Sequence, residues 1–155
     1  MQAERQADYP RGIDMSGNRI SQMNPTSIII ADDNAELRSL LSEILTDAGY
    51  SVRTAADGFA ALAEMKEKAP DILITDLNMP GMSGFKLILL VRRGFADVAI
   101  IAMSGSYSGN DLPRGMSVDA FYEKGCSAIG PLQQMIRRIT DGRPIESDRP
   151  RTMIA

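Results

Sequence analysis

Residues 72–84 read ILITDLNMPGMSG, an apolar run that ends at a single carboxylate, Asp76. A short and continuously apolar run is typical of a strand that is covered on both faces. Pro80 and Gly81 follow, and we expect them to turn the chain into a helix and to keep a side chain away from Asp76. Asp76 can be interpreted as a turn residue or as a reactive group. The residues that follow the other predicted strands decide between these two interpretations.

Four further short apolar runs indicate strands, and helical patterns lie between them. The runs occupy residues 27–31, 50–56, 97–103 and 118–123. Helices are predicted after the N-caps Asn34 and Asp57, at residues 84–93, and at residues 131–141. Strands that alternate with helices predict an α/β fold with a doubly wound, five-stranded parallel sheet.

Residues 105–117 interrupt this alternation where a helix between the last two strands should lie. They contain three glycines, Pro113 and few apolar residues. This composition favours a loop or a short, poorly formed helix. We therefore expect the fourth helix of the pattern to be short or degenerate.

The length of 155 residues suits one domain with a polar segment at each end. Residues 1–25 are polar and aperiodic, so they are expected to form a flexible N-terminal extension. Residues 142–155 are similar and are expected to form a flexible C-terminal tail, which leaves residues 26–141 as the domain. The tail is too short and too polar to fold as an output domain.

Composition argues against several classes of function. The net charge of −3 disfavours general nucleic-acid binding, and no apolar run is long enough to insert into a membrane. Cys126 is the single cysteine; it fits a cytoplasmic location and is expected to be a small packing residue. The absence of histidine removes Ser-His-Asp and Cys-His catalysis and histidine metal sites.

Four of the predicted strands end at side chains that can do chemistry. These side chains are Asp32, Asp33, Asp76, Ser104 and Lys124. The carboxyl ends of parallel strands meet at one edge of the sheet, so we expect these groups to lie together. Capping, turn formation or solvation would explain each group alone. Their coincidence favours a functional site.

Three neighbouring carboxylates repel one another unless a cation neutralises them. Ligands that are all oxygen favour Mg²⁺ or another hard divalent ion such as Mn²⁺. Lys124 can pair with a phosphoryl oxygen, and Ser104 can donate a hydrogen bond to one. The set therefore has the components of phosphoryl transfer.

Four stretches together resemble the response-regulator receiver domain of two-component signalling, in its single-domain, chemotaxis-receiver-like form. They are IIIADDN, DILITDLNMPGMSG, IIAMSG and DAFYEKG. The resemblance covers roughly residues 27–141. It implies a flavodoxin-like sheet of order 2-1-3-4-5.

The resemblance also implies roles for the acidic residues. Asp76 matches the aspartate that receives phosphate. Asp33 matches the direct Mg²⁺ ligand, and Asp32 matches the acid that reaches the ion through water. Asn78 matches the position whose backbone carbonyl completes the metal shell.

Further roles follow from the resemblance for the groups around the phosphoryl group. Ser104 and Lys124 match the residues that stabilise it, and Ser104 and Phe121 match the switch pair that moves inward. Phe121 can equally be a core residue. Asn78 and Ser106 occupy the positions that tune hydrolysis. By strand alternation, Tyr122 is expected on the sheet face opposite Phe121.

The implied function is a signalling switch. Asp76 would take phosphate from a histidine kinase or phosphotransfer protein in a Mg²⁺-dependent step, and the output would be binding to an unknown downstream protein. The chain is not expected to be an enzyme beyond its own phosphorylation and dephosphorylation, and DNA is not an expected partner.

Two departures from the family pattern leave alternatives open. Gly125 follows Lys124 where the family usually has proline, often after a cis bond; we expect a trans bond or a rearranged loop. Residues 105–117 replace a regular helix. A receiver-like scaffold that acts without phosphate is therefore one alternative. A phosphatase of the haloacid-dehalogenase type is another, although Asn78 stands where those enzymes have an acid–base aspartate.

Overall fold

Five parallel strands form one sheet in the order β2-β1-β3-β4-β5, as predicted. The computed structural model describes residues 24–125 and 128–142. The strands are β1 Ser27–Ala31, β2 Ser51–Ala55, β3 Ile72–Asp76, β4 Ala99–Ser104 and β5 Ala120–Glu123. The order reverses direction between β1 and β3, and ligand sites of such sheets lie at the carboxyl ends of the strands beside that point.

Four α-helices connect and cover the strands in the described part of the chain. They are α1 Ala35–Asp47, α2 Gly58–Glu67, α3 Gly84–Gly94 and α4 Gly130–Thr140. The predicted N-caps are confirmed: Asn34 accepts from the backbone N–H of Leu37 and Asp57 from that of Ala60. These caps begin each helix directly after the preceding strand. Within residues 24–125 and 128–142, no helix combines the length and apolarity needed to cross a membrane.

Each face of the sheet is covered by an apolar cluster. The strands require this cover because their apolar side chains point to both faces of the sheet. One cluster joins the sheet to α2 and α3, and the other joins it to α1 and α4. Phe121 belongs to the first cluster and Tyr122 to the second, which confirms their predicted orientation on opposite faces.

The chain between β4 and β5 forms a single 3₁₀ turn, Gly109–Asp111. The sequence predicts a short or degenerate helix in this segment. The single turn confirms this prediction. Apolar side chains of the segment pack against the α2/α3 cluster in place of a helix: Leu112, Met116 and Val118. Arg92 of α3 fastens the segment, because its guanidinium donates to the carbonyl of Ser117 at 2.9 Å and to the carboxylate of Asp119 at 2.8 Å.

Strand β5 begins later than its apolar pattern predicts. Asp119 lies just before β5 and makes two bonds to Ile100 of β4: its backbone N–H donates to the Ile100 carbonyl at 2.8 Å, and its carboxylate accepts from the Ile100 N–H at 2.8 Å. The side chain thus satisfies a backbone donor of β4. The predictions for residues 1–23, for residues 143–155 and for Cys126 lie outside the described residues.

Candidate functional site

The carboxyl edge of the sheet brings three acidic side chains together. Asp32 and Asp33 follow β1, and Asp76 is the last residue of β3. One carboxylate oxygen of each lies within 4.8 Å of the other two. Asp32 and Asp76 are buried, whereas Asp33 is exposed. The expected meeting of strand ends therefore occurs, with one acid open to solvent.

Lys124 joins this acidic cluster from the end of β5. Its Nζ lies 2.7 Å from Oδ2 of Asp32 and 2.9 Å from Oδ2 of Asp76. The described residues contain no cis peptide bond, so the expected trans bond between Lys124 and Gly125 is confirmed. Gly125 has a φ of 102°, which the ring of proline forbids. The glycine thus turns the chain in a different way and still leaves the lysine within reach of the site.

Burial and charge shift the protonation equilibria of the two partners in the same direction. Burial raises the pKa of Asp76 above its ordinary value, and the neighbouring ammonium of Lys124 offsets only part of that effect. Burial alone would lower the pKa of Lys124, but the carboxylates of Asp32 and Asp76 outweigh it and raise that pKa. Both shifts therefore favour the protonated forms of Asp76 and Lys124.

Removing the ammonium should destabilise the fold in a pH-dependent manner. We expect Lys124→Met to lower the free energy of unfolding at pH 7 by about 1–3 kcal/mol, because buried Asp32 loses its cation. The raised folded pKa means that the contribution of Lys124 is fully present below the ordinary lysine value of 10.5 and is lost as the pH rises through the folded value. Urea unfolding at pH 7 and in alkaline buffer measures the difference.

The matched control for this experiment is Lys66→Met, which removes an exposed lysine from the last turn of α2. It should change the free energy of unfolding by less than about 0.5 kcal/mol at either pH. An effect of Lys124→Met that is equal to the control, or that grows in alkali, would contradict the assigned ion pair.

The acidic cluster has ligand atoms that a divalent cation could use. Oδ1 of Asp32 accepts from the backbone N–H of Asn34 at 2.8 Å. Oδ2 of Asp32 is buried, and the Lys124 ammonium lies 2.7 Å from it. Oδ1 of Asp76 accepts from the N–H of Asn78 at 3.2 Å. Carboxylate oxygens from three residues within 4.8 Å of one another suit a hard cation such as Mg²⁺.

Ser104 lies at the end of β4, with its side chain buried. Its Oγ accepts hydrogen bonds from the backbone N–H groups of Ser106 and Tyr107, each at 3.0 Å. The Ser104 carbonyl accepts from the N–H of Lys124 at 2.8 Å. The hydroxyl is therefore tied to the segment between β4 and β5, while the backbone of the same residue adjoins the lysine of the site.

Phe121 is only 5% exposed and already packs in the α2/α3 cluster. An inward movement of this ring would have to start from a buried position. The structure places the ring on the sheet face that the segment between β4 and β5 covers. Asn78 is exposed beside Asp76, and Ser106 is exposed beyond Ser104.

Gly84 is a residue beside the site that sequence reasoning missed, and it packs against the backbone of Asp76. A Cβ on Gly84 would lie 2.0 Å from the backbone oxygen of Asp76. A Cβ on Gly81 would instead contact the ring of Phe59 at 3.5 Å. The prediction that Gly81 keeps a side chain away from Asp76 is therefore wrong. The available signal was the second glycine of the stretch, which begins α3 and must pack against the end of β3.

Two further contacts fix the ends of β1 and β3 and were also missed. Arg38 of α1 donates to the carbonyl of Asp32 at 2.6 Å. Thr75, fully buried, donates its hydroxyl to the carbonyl of Asp76 at 3.0 Å. Both contacts hold the backbone of an acidic residue. They could not be inferred from type or spacing, because arginine and threonine at such positions are ordinary surface and strand residues.

The sequence model of the family described as "Response regulator receiver domain" matches residues 28–123, more than half of the chain. This chain belongs to the response regulator receiver domain family. Receiver domains are signalling proteins that interact with histidine kinases and downstream targets, and they are generally not enzymes.

Similar receiver sequences occur within longer regulatory proteins. The chain is 38% identical over 91 residues to the sensor protein EvgS of Escherichia coli (strain K12), covering 59% of this chain and 8% of EvgS. It is 35% identical over 80 residues to the nitrogen assimilation regulatory protein NtrX of Azorhizobium caulinodans, covering 50% of this chain and 18% of NtrX. The chain thus spans less than a fifth of the length of either protein.

Solved receiver structures share the fold of this chain. The chemotaxis response regulator CheY4 of Vibrio cholerae superposes with a TM-score of 0.69 at 28% identity, over 74% of this chain and 98% of CheY4. The response regulator TrrA of Thermotoga maritima, solved in complex with Mg²⁺ and BeF, gives 0.66 at 29% identity, over 74% and 98% of the two chains. This receiver domain therefore has the flavodoxin-like fold that its strand order indicates.

Proposed function

We propose that this chain is a phosphorylation-switched signalling protein. Asp76 accepts a phosphoryl group from a histidine kinase or phosphotransfer protein, in a step that depends on Mg²⁺ or Mn²⁺, and the output is binding to a downstream protein. The observation that carries the proposal is the cluster of Asp32, Asp33 and Asp76 with Lys124 bridging two of the three. We further propose that residues 26–141 form the receiver unit.

The nucleophile of the proposed reaction is the ionised carboxylate of Asp76. One of its oxygens forms a bond to phosphorus while the bond between phosphorus and the donor's leaving atom breaks, and the leaving atom keeps the electron pair. The rigid end of β3 holds the carboxylate at the edge of the sheet. Lys124, 2.9 Å from Asp76, can follow the charge from the carboxylate to the phosphoryl oxygens.

The residues that would hold the cation are Asp33, Asp76 and the backbone carbonyl of Asn78, with Asp32 bound through water. When bound, Mg²⁺ supplies the positive charge that lets a phosphoryl group approach three carboxylates. The exposure of Asp33 leaves the cluster open to a solvated ion. The Mg²⁺ and BeF complex of the related TrrA supports this choice of cation.

Metal affinity should depend on the exposed acid. We expect Asp33→Asn to weaken Mg²⁺ binding at least about tenfold, since even the loss of an outer ligand commonly does so. Calorimetric titration of the unphosphorylated protein with Mg²⁺ measures the effect. Asp97→Asn removes an exposed acid outside the cluster and should leave the affinity unchanged. Equal affinity for the Asp33→Asn protein and the wild-type protein would remove Asp33 from the proposed shell.

The remaining site residues are proposed to act after phosphate has been accepted. Ser104 and Lys124 stabilise the phosphoryl group, and Ser104 together with Phe121 forms the switch. Asn78 and Ser106, both exposed beside the site, tune the access of water that hydrolyses the acyl phosphate. The buried position of Phe121 restricts its part to a small change in packing.

The alternatives fit the site less well. A scaffold that acts without phosphate does not require two buried carboxylates, those of Asp32 and Asp76, paired with Lys124. The altered turn at Gly125 leaves Lys124 in contact with both. A haloacid-dehalogenase-type phosphatase needs an acid two residues after its nucleophile, where this chain has the amide Asn78.

The proposed function is tested by incubation with Mg²⁺ and acetyl phosphate. Intact mass spectrometry should show one added phosphate, and omission of the divalent ion should abolish the addition. A wild-type chain that binds Mg²⁺ and remains unmodified would overturn the assignment.

A further inference from the structure

Two leucines on opposite sides of the domain are equally exposed but lie in opposite electrostatic surroundings. Leu40 of α1 is 48% exposed and Leu89 of α3 is 49% exposed. Leu40 lies one helical turn from Glu36 and from Glu43, on the same face of α1. The surroundings of Leu40 are therefore acidic, whereas those of Leu89 are basic.

Leu89 lies one helical turn from Lys86 and from Arg93, both exposed. Within the described part of the chain, neither Lys86 nor Arg93 forms an ion pair. On a chain whose net charge is −3, these two cations make the surroundings of Leu89 locally positive. They would attract an acidic partner and repel a basic one.

An aromatic pair extends the apolar surface around Leu89. Phe85 precedes Leu89 by four residues, so the two share one face of α3. The ring of Phe85 packs edge-to-face against the ring of Tyr107, with centroids 5.6 Å apart. Tyr107 is 38% exposed. We name Phe85, Leu89 and Tyr107, with their rim of Lys86 and Arg93, the α3 patch.

The α3 patch is connected to the candidate phosphorylation site through one side chain. The backbone N–H of Tyr107 donates to Oγ of Ser104 at 3.0 Å, and so does that of Ser106. A turn of this hydroxyl toward a phosphoryl group on Asp76 would break both bonds. The backbone of the segment that carries the Tyr107 ring, which packs on Phe85, would then lose both of its hydrogen bonds to the Ser104 hydroxyl.

We propose that the α3 patch is a docking surface for an acidic amphipathic segment of a protein partner, and that Ser104 controls it. Apolar side chains of the partner pack on Leu89 and the aromatic pair, while its carboxylates meet Lys86 and Arg93. Phosphorylation loosens Tyr107 and weakens the docking. The control by Ser104 rests on the proposed function, whereas the surface itself does not.

The occupant is a protein segment because of the side chains that the α3 patch exposes. Aromatic residues and arginine are both enriched in protein interfaces relative to the rest of the surface. The edge-to-face pair presents a preformed surface, which lowers the ordering cost of binding. Two exposed anchors and two free cations offer little to a lipid bilayer, for which stable attachment requires more apolar insertion.

The surface is tested with a synthetic acidic helix of about 15 residues, the length at which isolated helices become marginally stable. The helix carries Leu and Phe on one face and Glu elsewhere, and its control carries Lys at every Glu position. Titration into the ¹⁵N-labelled chain should shift the amide signals of Phe85, Leu89 and Tyr107 with the acidic helix only. Leu89→Glu should weaken that binding at least about tenfold, whereas Leu40→Glu should leave it unchanged.

Three results would overturn the proposal that the α3 patch is a docking surface for an acidic segment. They are acidic-helix shifts that fall on another face, equal losses from Leu89→Glu and Leu40→Glu, and equal binding of the two helices. Vesicles of phosphatidylglycerol form a separate arm. Sedimentation of the chain with these vesicles, lost in the Leu89→Glu variant, would assign the α3 patch to a lipid surface and overturn the protein partner.

The control by Ser104 is tested on the same titration with Mg²⁺ and beryllofluoride added. Affinity for the acidic helix should fall at least about threefold in the wild-type chain. It should not change in Ser104→Ala, which lacks the acceptor for Tyr107. Phosphate on Asp76 is measured separately by mass. Phosphate uptake with unchanged helix affinity would overturn the coupling alone, and absent uptake with helix binding retained at Leu89 would overturn the proposed function alone.

Discussion

Replacing Asp76 with asparagine is expected to abolish phosphate uptake from acetyl phosphate, with at least about a hundredfold loss in rate. The amide has no ionised oxygen to attack phosphorus, so the covalent step is lost rather than slowed. The substitution also removes one of the three clustered carboxylates and should weaken Mg²⁺ binding. Intact mass spectrometry after incubation with acetyl phosphate and saturating Mg²⁺ measures the uptake.

Loss of uptake in Asp76→Asn should not come from unfolding. Burial raises the pKa of Asp76, which means that the folded protein disfavours the ionised form of this group. A neutral amide of the same shape avoids that penalty, so the free energy of unfolding should be equal to or above that of the wild type. Asp97→Asn, outside the cluster, is the matched control and should take up phosphate normally. Phosphate on the Asp76→Asn protein at the wild-type level would place the acceptor elsewhere.

Much of the sheet edge that carries this chemistry could be predicted from the alternation of strands and helices along the chain. Parallel strands end on the same side, so the residue that follows each apolar run had to lie at one edge. Asp32, Asp76 and Lys124 are such residues, and the structure brings all three into contact. Their placement requires only the alternation of strands and helices, which local sequence patterns encode.

The contacts that connect the edge to its surroundings could not be predicted in the same way. The bonds from Ser106 and Tyr107 to Ser104 depend on the path of an irregular turn, for which sequence carries no periodic signal. The ring contact between Tyr107 and Phe85 joins residues from two elements and follows from that path. Helix and strand periods describe one element at a time, so such tertiary contacts remain hidden.

The turn after Lys124 shows how a departure from a family pattern can leave a site intact. Proline and glycine direct the chain differently, and sequence alone left the reach of the lysine in question. The positive φ of Gly125 supplies a tight turn by another backbone route. Lys124 directly follows β5, which pairs with β4 through Ser104 and Glu123, and its backbone N–H donates to the Ser104 carbonyl, so the backbone of the lysine is bonded to β4 before the altered turn begins.

Gly84→Ala should be strongly destabilising although it adds one methyl group at the start of a helix. The new Cβ would lie 2.0 Å from the backbone oxygen of Asp76 and 2.7 Å from the Cα of Leu77. Both atoms belong to main chain at the end of β3, so no side-chain rotation can relieve the overlap. We expect a loss of about 3 kcal/mol or more in the free energy of unfolding, and a melting temperature lower by about 10 °C.

Gly94→Ala, at the other end of the same helix, separates steric overlap from helix propensity. A Cβ on Gly94 would meet no described atom within 4 Å. Alanine is the better helix former, so this control should be neutral or more stable by up to about 1 kcal/mol. Thermal and urea unfolding of both variants provide the comparison. Equal free energies of unfolding for the Gly84→Ala and Gly94→Ala variants would show that α3 can move away from β3. The expected difference would establish that the helix must meet the strand at a residue without a side chain, directly behind the carbonyl of Asp76.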